Sequence, residues 1–407
     1  MKVNKYYPFA FIYFFVNAVG LPFGLLYTTL LTPLFYLWVF LKGKRLIIVK
    51  FIAFATPFVF FHLLNGVSKY FYLKSFLLYF TVYVFCYAFY MLITTYADVE
   101  SIYKKLAITN FQLTIVAVLF VFTEYYSFFW TNWTIAVGSI EITDWKRLTM
   151  FTYEPSYYSF LLVPIFSFYF IRFILKQNSK MDFYILLMVM GSLVLSFSMG
   201  VIGGLILSVF ILFSLNSSTM LTSKKLLYSF FGLVTFFLLT FICLWIFFPE
   251  NPFFVRISAI FLGADGSANG RTFEALQLSY IIADLKSVWW GIGPGQLKII
   301  GDPVIREFYN YPESYGQVSI PNAFAETFAL FGFFGIGLRL FLEIYFFFKT
   351  KVLQNYYRTL LFLFIFIYQF TGSFTSNIAE YVIWILAFTN IFPQFDKKQN
   401  SLTKIPQ

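Results

Sequence analysis

The chain has 407 residues, of which 60% are hydrophobic, 24% aromatic and only 12% charged, and its formal net charge is +11. A soluble globular chain carries about twice that charged fraction, and apolar runs of roughly 17 to 25 residues, each long enough to cross a bilayer, recur along almost the whole length. The composition therefore excludes an ordinary soluble domain. It predicts an all-α polytopic membrane protein, because the strands of membrane barrels are short and alternate in polarity.

The apolar runs predict about twelve transmembrane helices. Their expected bounds are 6–20, 22–41, 46–64, 71–95, 107–127, 153–173, 181–197, 199–215, 226–248, 322–348, 357–371 and 374–392. Residues 1–248 then form helices one to nine, with a short extracytoplasmic loop near 128–152. Residues 249–321 form one large extracytoplasmic loop. Residues 322–407 form the last three helices and a short cytoplasmic tail.

Basic residues predict the orientation of these helices. Of the 29 lysines and arginines, 19 lie in the loops that a chain with both termini inside would place inside, as the positive-inside rule requires. These inner loops account for the basic net charge, which is therefore a signal of topology rather than of nucleic-acid binding. The lipid bilayer is the expected partner, and nucleic acid is excluded.

The large loop, 249–321, contains a second kind of helix signal. Asn269 is a suitable cap for a helix that begins near Gly270-Arg271, and such a helix would lie on the membrane surface. The glycine-rich run 291–295 follows the Trp289-Trp290 pair. It is either a tight turn, which glycine permits, or a turn whose backbone N–H groups face a phosphate.

Three arginines outside the predicted spans are candidates for phosphate binding: Arg147, Arg256 and Arg271. A guanidinium presents a rigid fork of donors that matches phosphate oxygens, and it stays charged at any working pH. The alternatives are a salt bridge between Arg271 and Glu274, and lipid head-group contact for Arg256.

Glu154 is the candidate carboxylate. It precedes Pro155 at the start of a predicted span, so it is expected at the N-cap of that helix, where the helix dipole stabilises it. Near arginines, it could instead orient an acceptor hydroxyl. His62 is the sole histidine, which argues against histidine metal sites and histidine-dependent triads. No metal and no cofactor are predicted.

Several short motifs occur in a recognisable order along residues 140–340. They are Lys146-Arg147 followed by Tyr153-Glu154-Pro155-Ser156-Tyr157, the turn Ser196-Phe197-Ser198-Met199-Gly200, Arg256, Ser267 and Arg271, the run 290–295, and Pro321-Asn322-Ala323 with 331–335. In order and spacing this set resembles the O-antigen polymerase (Wzy-type) and O-antigen ligase superfamily of bacterial surface polysaccharide assembly.

The resemblance implies a GT-C-like, metal-independent membrane glycosyltransferase in the bacterial inner (cytoplasmic) membrane, with its active site facing the periplasm or exterior. Its substrate would be an undecaprenyl-pyrophosphate-linked oligosaccharide, and its candidate protein partners are a chain-length regulator and a flippase. The expected catalytic residues are Arg271, Arg256 and Glu154. The expected substrate-binding residues are Arg147, Ser156, Tyr157, Gly293, Gly295 and Asn322.

Within that superfamily the polymerase is favoured. Ligases usually carry a histidine beside the asparagine that opens the span after the large loop, and here that position is Pro321. A ligase remains an alternative, as does a lipid-linked oligosaccharide flippase. A flippase would need a polar path through the spans, and the charges inside the predicted spans are few. Arg339 and Glu343 are four residues apart, which predicts a local pair; Glu380 is the third.

Overall fold

The computed structural model is mostly helical. The structure describes residues 6–16, 27–44, 46–137, 140–177, 179–216, 252–261, 269–312 and 318–397, together with Thr235, Leu239, Ile242, Trp245, Ile246, Phe247 and Gly316. Apart from those single residues, the span expected over 226–248 lies outside the described residues.

The described part of the chain contains fifteen α-helices and one pair of strands. They are α1 (Tyr7–Phe11, continued by a π-helix over Ile12–Val16), α2 (Tyr27–Leu30), α3 (Thr32–Leu41), α4 (Ile47–Leu64), α5 (Lys69–Thr95), α6 (Val99–Phe120), β1 (Trp130–Val137), β2 (Ile140–Leu148), α7 (Pro155–Ile174), α8 (Lys180–Leu195), α9 (Met199–Leu215), α10 (Pro252–Phe261), α11 (Phe273–Asp284), α12 (Gly301–Tyr309), α13 (Ala323–Lys349), α14 (Tyr356–Tyr368) and α15 (Ile378–Phe388). Short 3-10 turns cover Glu124–Phe128, Gln296–Lys298, Val352–Gln354 and Pro393–Phe395.

By length and apolar composition alone, five of these helices could cross a membrane: α4, α5, α6, α7 and α13, the last of which is broken within its length. This agrees with the predicted membrane class. The predicted bounds of α4 and α9 hold to within one residue. Helix α6 begins earlier than the predicted residue 107, because the Asp98 carboxylate accepts the Ser101 N–H at 3.2 Å and caps the helix there.

The two strands correct the all-α prediction locally. β1 and β2 form an antiparallel hairpin in which Trp130 pairs with Leu148 and Thr131 pairs with Arg147. The segment is rich in aromatic and β-branched residues, which favour strands. Hydropathy alone does not detect this preference and predicts only a loop between spans. The hairpin is tied to the bundle where the Trp130 indole donates to the Ala117 carbonyl oxygen at 2.6 Å.

Helix α7 lies at the centre of the bundle, because 78% of its most apolar window is buried. Polar side chains hold its neighbours together: the Asn110 amide of α6 donates to Ser192 of α8 at 3.0 Å, and Tyr158 of α7 donates to Asn110 at 2.8 Å. Such bonds substitute for water where helices pack in an apolar medium. The first turn of α7 is therefore held in a fixed position.

Helix α13 is broken at Gly332, where φ is 63° and ψ is −160°. In a straight helix Ala323 and Arg339 would be about 24 Å apart. Here an Arg339 guanidinium nitrogen lies 3.5 Å from the Ala323 carbonyl oxygen. The two halves are thus folded back on each other, which corrects the single span expected over 322–348.

The segment before the broken helix satisfies the backbone groups that the break exposes. Ile292 and Gly293 N–H groups donate at 3.0 Å to the carbonyl oxygens of Ala329 and Leu330. In return, the Phe333 N–H donates to the Val288 carbonyl oxygen at 3.0 Å. Non-helical backbone inside a membrane protein needs such internal partners. Residues 288–293 therefore stabilise the break.

Candidate functional site

The first turn of α7 positions three predicted site residues. Glu154 occupies the N-cap position in an extended conformation and Pro155 follows at the first helical position, as predicted, but the Glu154 side chain makes no capping hydrogen bond. Its carboxylate instead accepts a hydrogen bond from the Ser156 hydroxyl. Ser156 and Tyr157 are both buried, and the Tyr157 ring lies 5.1 Å from that of Tyr153.

Arg147 is held against the same end of α7. Its Nε donates to the Ser196 carbonyl oxygen at 3.1 Å, in the turn between α8 and α9. The Ser196 hydroxyl in turn accepts from Ser159 of α7 at 2.6 Å. These bonds join the end of the hairpin, the turn between α8 and α9, and the first two turns of α7. Two of the motifs behind the family resemblance thus meet in space.

Arg271 lies in a turn rather than in a helix. The helix expected to begin at Gly270-Arg271 begins at Phe273, with Thr272 at the N-cap. The predicted cap, Asn269, instead accepts the Thr272 N–H at 3.1 Å through its carbonyl oxygen. Arg271 is therefore presented by a four-residue turn at the entrance to α11.

Asn322 fixes the position of that turn. Its side-chain amide donates at 2.7 Å to the carbonyl oxygens of Arg271 and Phe370, and its oxygen accepts the Ala325 N–H at 2.9 Å, which caps α13. Asn322 is 0% exposed, and both of its N–H donors are used within the protein. We therefore assign it a positioning role instead of the predicted substrate contact.

Arg271 and Glu154 are brought to the same pair of tyrosines. The charges of both side chains act on the hydroxyls of Tyr153 and Tyr368. Coulomb interactions fall with distance, so the Arg271 guanidinium and the Glu154 carboxylate each lie within electrostatic range of both phenols. The Tyr368 ring is fixed by Phe160 of α7, 4.9 Å away. The described part of the site thus contains two arginines, Arg147 and Arg271, one carboxylate and three phenols, those of Tyr153, Tyr157 and Tyr368.

Tyr153 keeps its proton in this setting. Although 55% of its surface is accessible, desolvation and then the negative charge of Glu154 raise the pKa of its hydroxyl, while Arg271 acts in the opposite direction. A neutral phenol is both a donor and an acceptor of hydrogen bonds. Tyr153 can therefore contact either a phosphate oxygen or a sugar hydroxyl.

The glycine-rich run does not join this group. The Gly293 N–H is bonded to Leu330, and the segment packs against His62 and Tyr72, so its described backbone serves the fold, as in the tight-turn interpretation. A side chain at Gly295, whose φ is 76°, would collide with the carbonyl oxygen of Phe71. Gly293 and Gly295 are thus required by packing. Their geometry favours this structural role over the predicted substrate contact.

His62 is a structural tie of the same region. Its Nε2 lies 2.7 Å from the Trp290 carbonyl oxygen and its Nδ1 lies 3.0 Å from the Tyr72 hydroxyl. Both ring nitrogens are engaged, and the side chain is fully buried. Although distant in sequence from the large loop, His62 anchors the glycine-rich run to α4 and α5.

The structure adds three residues to the predicted set and leaves one unplaced. Tyr153 and Ser196 lie within quoted motifs, but neither was singled out. Tyr368 lies in an apolar run and carries no sequence signal of its own. Arg256 belongs to α10, and its side chain lies outside the described residues.

Across the described ranges, no group of three His, Cys, Asp or Glu side chains is arranged to hold a metal ion. Comparison of the chain with protein-family models, curated proteins and solved structures finds no match.

Proposed function

We propose that this protein is a polysaccharide repeat-unit polymerase, which makes O-antigen, capsule or exopolysaccharide. It would transfer a glycan from undecaprenyl pyrophosphate to the non-reducing end of a lipid-linked repeat unit. One observation carries the proposal: Asn322 fixes the Arg271 turn beside the end of α14, and Tyr368 of α14 packs against α7, whose N-cap is Glu154. A glycosyl transfer from pyrophosphate needs this pair, a fixed cation for the leaving group and a carboxylate for the acceptor.

The chemistry proposed for these residues is a single displacement. The acceptor hydroxyl oxygen bonds to the anomeric carbon while the bond from that carbon to the pyrophosphate oxygen breaks. Glu154 takes the hydroxyl proton, and the leaving pyrophosphate keeps the electron pair. Arg271 stabilises the charge that develops on the pyrophosphate, with Arg147 and Arg256 as further cations. Pyrophosphate is a competent leaving group, so charge stabilisation and positioning supply most of the catalysis.

The membrane setting is part of the same proposal. The protein would have about twelve spans, both termini inside, and a GT-C-like arrangement in the bacterial cytoplasmic membrane. The first turn of α7 and the Arg271 turn would then face the exterior. The charge bias of the loops supports this orientation, and the five long apolar helices support a membrane location.

The proposal is tested with purified protein and a synthetic undecaprenyl-pyrophosphate repeat unit, with products separated by gel electrophoresis. A ladder of products spaced by one repeat unit is expected. Transfer of single units only to an added lipid acceptor would instead establish the ligase alternative. The absence of both products, with substrate crossing the bilayer of reconstituted liposomes, would overturn the enzyme assignment.

The flippase alternative gains one specific observation. A charged cluster around Arg339, together with the break in α13, lines a cavity between helices. Broken helices and buried charges are common where transporters bind their substrates. The polymerase is preferred because the Arg271 and Glu154 group provides a complete set of roles for glycosyl transfer.

A further inference from the structure

The Arg339 guanidinium is the centre of a buried network that is wider than the predicted local pair. It bonds to Glu343 at 3.1 Å, to Gln369 at 2.7 Å and to Thr327 at 3.1 Å, and it pairs with Glu380 of α15. The pair with Glu343 is confirmed, but the network joins both halves of α13 to α15 and to the end of α14. Charged groups this deep in an apolar bundle usually serve a function.

A cavity of about 430 Å³ adjoins this network, between α4 and α5 on one side and α13 and α15 on the other. That volume lies within the range of small-molecule sites. Its wall is largely apolar and rich in aromatic side chains, which include Phe51, Phe58, Phe76, Tyr83, Phe331 and Trp384. Aromatic faces carry negative electrostatic potential and attract cations.

The charges on the wall of this cavity do not balance. Among the described residues that line it, the charged ones are Arg339, Glu343 and Glu380, one positive charge against two negative. Glu380 is only 1% exposed, and its Oε2 atom has no hydrogen-bond partner. A buried carboxylate oxygen without a donor is costly, so the site calls for a ligand that supplies both a donor and a positive charge.

We propose that this cavity binds an apolar molecule with an ammonium group, whose N–H donates to Glu380 Oε2 and whose apolar body contacts the aromatic wall. Protonation of Glu380 would also balance the charge. The resulting O–H group, however, would be a donor that itself needs an acceptor. An ammonium ligand satisfies the charge, the hydrogen bond and the aromatic lining together. The site is independent of the proposed polymerase activity.

The test uses 4-phenylbutylammonium as the probe and the similarly sized neutral 4-phenylbutanol as its comparison. Binding to the purified full-length protein in phosphatidylcholine nanodiscs is measured by titration calorimetry, with empty discs subtracted. We expect one saturable site that binds the cation at least tenfold more tightly than the alcohol. Equal affinities would show a merely apolar groove and overturn the proposal, as would the absence of saturable binding.

Two variants locate the site. Glu380→Gln keeps an oxygen for Arg339 but removes the charge, and it should weaken cation binding at least tenfold while binding of the alcohol is unchanged. Ala55→Trp fills the cavity from α4 with every charge in place, and it should abolish binding of both probes. Val49→Trp, at an exposed position of the same helix, is the matched control and should bind like the native protein. Native affinity in either cavity variant would contradict the assignment.

Discussion

The side-chain amide of Asn322 donates to the carbonyl oxygen of Arg271 at 2.7 Å, across 51 residues of sequence. The same amide donates to Phe370, two residues beyond the end of α14 at Tyr368. Arg271 is therefore fixed relative to Tyr368 by one buried side chain, and through Tyr368 relative to the first turn of α7. This relationship joins the large loop to the central helix.

Glycan transfer should depend on Arg271 but not on Arg306, another arginine of the same loop. Arg271→Ala should lower the rate of polymer formation at least a hundredfold, about 3 kcal/mol, as loss of a transition-state donor does. Arg271→Lys should lose at least tenfold, because lysine lacks the donor fork. Initial rates of ladder formation, normalised to folded protein, measure both effects.

Arg306→Lys is the matched control for this prediction. Arg306 belongs to α12 and pairs with Asp302 at 2.7 Å, within its own helix. The same chemical change at this position should leave the rate within about twofold of the native protein. A rate for Arg271→Lys that equals the rate for Arg306→Lys would refute a specific role for the Arg271 guanidinium.

Asn322 should act only through Arg271. Asn322→Ser can still cap α13, since serine is a good N-cap residue, but it loses the two amide N–H bonds to Arg271 and Phe370 and should lower activity at least tenfold. In the Arg271→Ala background the same change should cost little further activity, because coupled residues are not additive. The measurement is a double-mutant cycle on the transfer rate. Independent, multiplicative losses would exclude the positioning role.

Gly332 should be far more sensitive to substitution than Gly337 of the same helix. A side chain there would be strained at a φ of 63° and would collide with the backbone of Trp289. Gly332→Ala should therefore cost about 1–3 kcal/mol from the backbone alone. At Gly337 of the same helix an added Cβ meets nothing within 4 Å, so Gly337→Ala should be neutral or stabilising by roughly 0.5–1 kcal/mol.

Thermal unfolding in detergent compares these two glycine variants. Equal melting temperatures would mean that the break in α13 is not required for the fold.

Removal of the Arg339 charge should destabilise the bundle strongly. Arg339→Met leaves Glu343 and Glu380 buried without their cation, and breaking a buried pair in this way costs about 3–5 kcal/mol. Lys349→Met, at the exposed end of the same helix, removes only a contact with the Tyr345 ring and should cost less than about 1 kcal/mol. The measurement is the denaturation midpoint of each variant. Equal midpoints for Arg339→Met and Lys349→Met would disprove the prediction.

The bounds of the helices were largely predictable from the sequence. Helix α9 matches the predicted span 199–215, because its apolar run ends at polar residues on both sides. The predicted start of α6, residue 107, is too late because Lys104 and Lys105 lower the local hydropathy. Lysines outside the apolar core do not end a helix. The break at Gly332 was missed because the sequence is apolar on both sides of it, and its cause lies in the Val288–Gly293 segment.

The candidate site was predictable only in part, for a physical reason. Glu154, Ser156 and Tyr157 share one helix turn, so local sequence predicts that they lie together. Their meeting with Arg271 depends on Asn322 and Tyr368, which are far away in the chain and connected to it only through tertiary hydrogen bonds and ring contacts. Likewise, the spacing of Arg339 and Glu343 predicts their pair, but it cannot reveal Glu380 on another helix.

The most direct test of the central claim is a single-turnover transfer rate for native protein, Arg271→Ala, Glu154→Gln and the double variant. If the guanidinium and the carboxylate act on one transferring glycan, each single change should remove most of the rate, and the double variant should be no slower than the slower single variant. A native rate for Glu154→Gln, or losses that multiply in the double variant, would contradict a shared site.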